Sequence, residues 1–273
     1  MRGWRAFALA LLIAPSASAG TVYSGAIAIP RADSPNLPIS VVLEDSGAVR
    51  FVANTGISCH GVGQGWPTVD GAGTWSGARV TAAGHKKIVR GITLSLRLTA
   101  TARGGVLRGR IVGNVRRTSR CGHIHFAHGV VAVAEPSPSG APRRPARSVS
   151  LFGRSSMMHG DLPFAVAVAV APHGRAASSV WSLDVACAAG HLPFVNRSPF
   201  APIHANGAFT RRERFSVRYT DGSKDTFHTT FHGQFLTDGV VGWLRLQIRS
   251  TNRQGRFINK CDSGRQLWWA KRP

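Results

Sequence analysis

Four cysteines, a run of three histidines, a large surplus of arginine and a set of tryptophans are the residues of this chain with chemistry to offer. The cysteines fall in two pairs, Cys59 with Cys121 and Cys187 with Cys261, and no cysteine has another within four residues. That spacing disfavours a structural zinc site, which draws two cysteines from one short knuckle. In an oxidising compartment such cysteines become disulfides, and four of them can pair in three ways. His123-Ile124-His125 is different. Alternate residues of a strand share a face, so this pair could chelate a divalent metal, with His128 close by and a third ligand needed from a neighbouring strand. The competing reading is of ordinary surface or half-buried histidines. His228 and His232 are four apart, roughly 13 Å along a strand and too far for one ion.

Anion binding is the broader expectation. The chain carries 34 Lys and Arg against 12 Asp and Glu, a net charge of +22. A charge of that size draws polyanions and raises encounter rates with them. Candidate patches are Arg116-Arg117 with Arg120, Arg143-Arg144 with Arg147, Arg211-Arg212 with Arg214, and the row Arg245, Arg249, Arg253. Strand alternation puts Arg245 and Arg249 on one face, where guanidinium groups can fork onto phosphate or carboxylate oxygens. The plain alternative is a solvated face that keeps the protein soluble. Trp268 and Trp269 are adjacent, so on a regular strand one faces outward and becomes an aromatic contact candidate. No recognised nucleic-acid module is present, and specific nucleic-acid binding is not expected.

Catalytic patterns are missing from the sequence. Only Glu44, Glu135 and Glu213 supply glutamate, and no two acids are placed as a glycosidase pair. Neither a G-x-S-x-G elbow nor an H-E-x-x-H helix occurs. The glycine-rich Gly61 to Gly65 stretch reads as a loop. No cofactor is expected. A secreted hydrolase with a dispersed Ser/His/Asp site, or a barrel with a small-ligand lumen, are the alternative functions.

The elements that carry these residues are strands. In Thr226 to Phe235 the phenylalanines take the odd positions and His228, Thr230, His232 and Gln234 the even ones. Leu94, Leu96 and Leu98 alternate with Ser95 and Arg97 in the same way, and glycine-rich turns separate such runs. The pattern is also written twice. Leu37-Pro38-Ile39-Ser40-Val41-Val42 matches Leu162-Pro163-Phe164-Ala165-Val166-Ala167, and Gly105 to Gly109 resembles Gly239 to Trp243. The cysteines follow in the same order, which selects the pairing Cys59–Cys121 and Cys187–Cys261. Between the repeats, residues 135–147 hold four prolines, a composition that favours an extended, semi-stiff spacer.

The expected organisation is a signal peptide over residues 1–19, a β-domain over 20–134, a Pro/Arg-rich linker over 135–147 and a second β-domain over 148–273. Met1-Arg2-Gly3-Trp4-Arg5, the apolar run Ala6 to Ala14 and Ala17-Ser18-Ala19 supply the basic start, the apolar core and the small residues of a cleavage site. The fold class is all-β, two tandem antiparallel sandwich or small-barrel domains, each with one internal disulfide. Cys261-Asp262-Ser263-Gly264 followed by Trp268-Trp269-Ala270 resembles the C-terminal strand of a group of secreted β-domain proteins of unknown function from high-GC bacteria. The first half departs from it, with Cys121-Gly122-His123 and Phe126 in place of the Ser and Trp. The resemblance implies a disulfide-tied β fold and no activity. The resulting expectation is a secreted or envelope-associated, non-catalytic binding protein whose partner is an anionic envelope polymer or surface.

Overall fold

The computed structural model describes residues 20–28, 37–55, 57–59, 63–65, 67–89, 92–115, 124–134, 138–160, 162–188 and 190–273. Among them every regular element but one single-turn 3-10 helix, Pro172–Gly174, is a β-strand. The first ten are β1 (Thr21–Ile27), β2 (Leu37–Leu43), β3 (Ala48–Asn54), β4 (Ile57–Cys59), β5 (Gly63–Gly65), β6 (Thr68–Ser76), β7 (Arg79–Val89), β8 (Ile92–Arg103), β9 (Val106–Val115) and β10 (Ile124–Ala134). Then follow β11 (Val149–His159), β12 (Leu162–Val170), β13 (Ala176–Cys187), β14 (Gly190–Pro202), β15 (Ala208–Arg218), β16 (Lys224–Phe235), β17 (Gly239–Thr251), β18 (Phe257–Asp262) and β19 (Gln266–Lys271).

Alternation decides which side chains go inside. Leu94, Leu96 and Leu98 of β8 are buried while Ser95, Arg97 and Thr99 are exposed. Phe227, Phe231 and Phe235 of β16 are buried in the same rhythm. Four hairpins share one turn chemistry, with glycine in the left-handed region at Gly47, Gly207, Gly222 and Gly255. A side chain there would be strained, which is why these turns end on glycine.

Eight strands close into an antiparallel barrel in the order β1-β10-β9-β8-β7-β6-β3-β2. The second sheet runs β14-β13-β12-β11-β19-β17-β16-β15, and β18 pairs with both β13 and β17. Strands β13, β12, β11, β19, β17 and β18 therefore form a second closed ring. The two sheets follow the same meander, in which first and last strands pair, β1 with β10 and β11 with β19. They differ in how they close. β6 pairs with β7 from Gly71 to Ser76, whereas the counterparts β14 and β15 are not hydrogen-bonded to each other and β18 closes the second ring between β13 and β17.

Both interiors are filled by side chains. Ile39, Phe51, Leu94, Leu98 and Ile111 pack the first barrel. Phe126 lies so close over Gly113 that a Cβ there would sit 2.0 Å from its ring. Aromatic rings dominate the second, where Trp268 stacks on Phe231 at 4.5 Å and Trp181 on Phe231 at 6.4 Å. The Trp268 indole fits because Gly242 beside it has no side chain.

The barrels lie against each other. Val22, Val42 and Val52 of the first pack on Leu162, and Ala26, Val131 and Val133 on Phe152 and Ala167. β2 is buried at every residue and β12 at all but one, because each has a barrel interior on one side and the neighbouring barrel on the other. That double burial explains two continuous apolar runs in a chain that otherwise alternates.

The connecting segment departs from the spacer expectation. Residues 138–147 dock on the second barrel, where Ser139 N donates to Asp238 Oδ1 at 2.6 Å and Arg143 N to Phe235 O at 3.0 Å. Pro142 forms a bridge with Leu236. Pro138 and Pro145 sit outside the ladders, where no donor is required of them.

Cys187 and Cys261 form a disulfide across directly paired residues of β13 and β18, with Cα atoms 4.2 Å apart. Beyond the point where β12 and β19 stop pairing with β13 and β17, the short β18 spans the gap alone. The bond thus ties down the strand that closes the ring. The Cys59–Cys121 pairing falls outside the described residues. The Cys187–Cys261 bond closes a span of 74 residues, worth about 4 kcal/mol in the chain-entropy model. Replacing both cysteines by alanine is expected to lower stability by that order in urea unfolding, with unfolding still cooperative.

Candidate anion-binding faces

The register of β15, β16 and β17 sorts the arginines expected from sequence. Phe209 of β15 points into the core, so Arg211 and Glu213, two and four residues on, share its inner face. Their side chains are half-buried with Arg211 Nε 3.6 Å from Glu213 Oε1. Arg212 and Arg214 take the outer face, opposite Thr230 and His228. Arg245 and Arg249 of β17 share that outer face, level with Thr230 and Thr226. The structure therefore gathers Arg212, Arg214, Arg245 and Arg249 on one face and turns Arg211 away.

Arg245 is not free on this face. Its Nε and Nη2 donate to Asp262 at 3.0 and 2.6 Å, and Gln247 Nε2 donates to the same carboxylate at 2.8 Å. The Arg245 hydrogen bonds hold the Asp262 carboxyl down to about 2, against the opposing effect of burial. This pair fastens β17 to β18 and is structural. Arg249 lies 5.9 Å from the Phe257 ring.

The tryptophans also divide. Trp268 is core, only 1% exposed, and Trp269 faces outward beneath the Arg154 guanidinium at 4.9 Å. Trp243 shares this outer face beneath Arg265 at 4.4 Å. His232 stands 5.7 Å from Trp243, with its Nδ1 2.8 Å from Thr210 Oγ1. Burial, reinforced by the Arg265 charge, pushes the His232 pKa down.

The first barrel has a second basic face that adjacent-arginine patches did not reveal. From Gly71 to Ala134 the sequence holds 11 Lys and Arg and no acid. On β7 to β10 the outward positions include Lys87, Arg97, Arg103, Arg108 and Arg110, all exposed. The nearest preceding acid, Asp70, is on β6. Cross-strand rows order this face. His85, Ser95, Asn114 and His125 form one row, and Ala83, Arg97, Val112 and Ala127 the next. Because Ala83, Val112 and Ala127 are short, the face is hollowed there. A groove of about 810 Å3 runs past His85, Ser95, Arg97 and Asn114.

The histidine cluster does not converge. His123 lies outside the described residues. His125 is exposed on the outer face of β10 with Nδ1 2.7 Å from Asn114 Oδ1, which lines the groove. His128 is level with buried Ile111, turns inward and stacks on Phe126 at 5.1 Å. Burial lowers its pKa. Among the described residues no three His, Cys, Asp or Glu are placed to hold a metal ion.

No protein-family model, curated protein or solved structure matches this chain.

The Asp262 contacts give a signed expectation for stability. Its carboxyl is depressed from 3.8 to about 2, so its contribution is complete above pH 3.8 and is lost as pH falls toward 2. Asp262→Asn is expected to cost about 1–2 kcal/mol at neutral pH, the scale of hydrogen bonds to a charged partner. In paired urea titrations the gap between variant and parent should narrow as pH drops from about 4 to 2.

Proposed function

We propose that this protein is an extracytoplasmic, non-catalytic binding protein that holds anionic polymers on the outer face of its first barrel. The carrying observation is the run of four strands, β7 to β10, with exposed arginines, a hollow between two rows of side chains and no acid. A polymer laid along that hollow meets Arg97 as an anion donor and Ser95, Asn114 and His85 as hydrogen-bonding partners, with Arg110 on the next row of the same face and His125 beside Asn114. Guanidinium groups fork onto phosphate or carboxylate oxygens with paired, charge-assisted hydrogen bonds.

The reading includes a tandem pair of related β-domains, residues 20–134 and 148–273, joined by 135–147. The shared meander of the two sheets supports it, as does the matched order of cysteines. It also includes export, on the basic and apolar start of the chain and the Cys187–Cys261 bond. The Arg212 and Arg214 side of the second barrel adds a further basic surface. Since the barrels are packed together, both surfaces are presented at a fixed separation.

Retention on immobilised teichoic acid and on DNA across a salt gradient tests the reading. The parent should be retained on both, with affinity falling steeply as salt rises. Arg97→Glu with Arg110→Glu should elute at lower salt and reduce the slope of log affinity against log salt by about 2, one for each lost phosphate contact. The matching reversal at Arg212 and Arg214 should have the smaller effect. Equal elution of the Arg97/Arg110 variant and the parent would refute the first-barrel site.

A further inference from the structure

A third surface, at one mouth of the second barrel, has a different chemistry from either basic face. The pairing of β16 with β17 continues to Lys224 opposite Thr251, three residues past the level of Phe227 and Ile248. Cys187 and Gly190, where β13 turns into β14, are at that lower level, since Cys187 opposes Cys261 and Cys261 opposes Ile248. The β15–β16 and β17–β18 hairpins therefore project about 10 Å beyond the β13–β14 turn. Their tips touch, because a Cβ on Gly222 would meet the Arg253 side chain at 2.9 Å.

The exposed large apolar side chains of the second barrel concentrate here. Phe257 is 59% exposed and Ile258 55%, with Ile258 at the register shift that pushes it out of the β17–β18 ladder. Tyr219, Val217 and Phe215 stand exposed along the end of β15, and Leu192, opposite Val185 near the start of β14, is exposed as well. Inside this rim the core resumes, with Phe215 stacked on Phe227 at 4.7 Å and Phe227 on Phe194 at 5.4 Å. Cations surround the rim. Residues 217–225 and 250–260 carry Arg218, Lys224, Arg253, Arg256 and Lys260 against Asp221 and Asp225. Both acids are engaged locally, Asp225 accepting from Tyr219 Oη at 2.8 Å and Asp221 from Ser223 N and Oγ at 2.8 and 2.6 Å.

We propose that this mouth docks the protein on an anionic lipid surface, with Phe257, Ile258 and Tyr219 entering the headgroup boundary and the ring of arginines and lysines resting on lipid phosphates. Exposed aliphatic and aromatic side chains on projecting tips gain by leaving water at a membrane boundary, where aromatic rings favour the headgroup level. Each basic residue near an anionic leaflet adds attraction that decays within a Debye length. A polyanion without an apolar layer uses the cations but leaves Phe257 and Ile258 in water, so the paired chemistry favours a lipid surface. This site is separate from the first-barrel groove.

Cosedimentation with vesicles of equal parts phosphatidylcholine and phosphatidylglycerol, against phosphatidylcholine alone, tests it. The parent should sediment with the anionic vesicles. Phe257→Ser with Ile258→Ser should weaken that partition about tenfold or more, the scale expected when two buried apolar side chains are removed, while leaving elution from teichoic acid unchanged. Arg253→Glu with Arg256→Glu should weaken it in a salt-dependent manner. Three results would overturn the proposal: no sedimentation of the parent, equal sedimentation of the Phe257/Ile258 variant, or loss of sedimentation in the Arg97/Arg110 variant, which would assign lipid binding to the first barrel. A dimer of the parent that the Phe257/Ile258 substitutions dissolve would also overturn it, because the mouth would then be covered by a second copy.

Discussion

The contact on which this architecture depends is the apolar wall shared by the two barrels. Strands β1 and β2 press on β11 and β12 through small and branched side chains such as Val22, Val42, Ala26, Ala167 and Leu162. Turning one barrel relative to the other would expose these valine and leucine side chains to water. The exposed arginines of the basic faces sit on β8, β9, β15 and β17, none of which supplies a side chain to the wall, whereas β10 joins the wall through Val131 and Val133. With residues 138–147 also docked on the second barrel, the two faces are carried by barrels in direct contact.

A second constraint operates among the charges themselves. With 34 cations and 12 acids, each carboxylate has a choice of partners, and those in the second barrel are largely committed. Asp262 fastens β18 to β17 through Arg245, Asp238 accepts from Ser139 and meets Lys271 at 3.1 Å, and Asp225 accepts from Tyr219. Acid in this protein is used to secure strand ends and turns. Arginines without such partners are left to solvent or to a ligand, which concentrates binding capacity on a few faces. The interior pair Arg211 and Glu213 is the exception, held on the inner face of β15 at the seam where β14 does not complete the ladder.

Much of this was legible in the sequence, and the reasons for the remainder are physical. Period-two patterning located the strands, because one face of each is buried, as the phenylalanines of β16 show. Parity alone would have separated Arg211 from Arg212, given Phe209 as the inward reference. Closure was not legible, since the pairing of β18 with both β13 and β17 depends on backbone register rather than on side-chain pattern. The mutual burial of β2 and β12 was hidden because a continuous apolar run looks the same whether its second side meets a sheet, a helix or another barrel. The basic face of the first barrel went unread for a simpler reason. Arg108 and Arg110 alternate along β9 and Arg97 lies on the adjacent β8, so no two of these arginines are adjacent in the sequence. The absence of acid from Gly71 to Ala134 was the signal that could have found it.

The incomplete seam has a consequence for the behaviour of the molecule in a crowd of its own kind. An open pair of strand edges is a template onto which another chain can add, the first step toward fibrous assembly. Here β14 carries Pro193, Pro199 and Pro202, each without an amide proton, and β15 sets Arg212 and Arg214 beside its edge. Missing donors interrupt any incoming ladder, and like charges repel a second copy of the same edge. The free edges of β14 and β15 lie outside the ring that β18 closes, and their prolines and arginines deny them to would-be recruits, so this gap is protected rather than a nucleus for polymerisation.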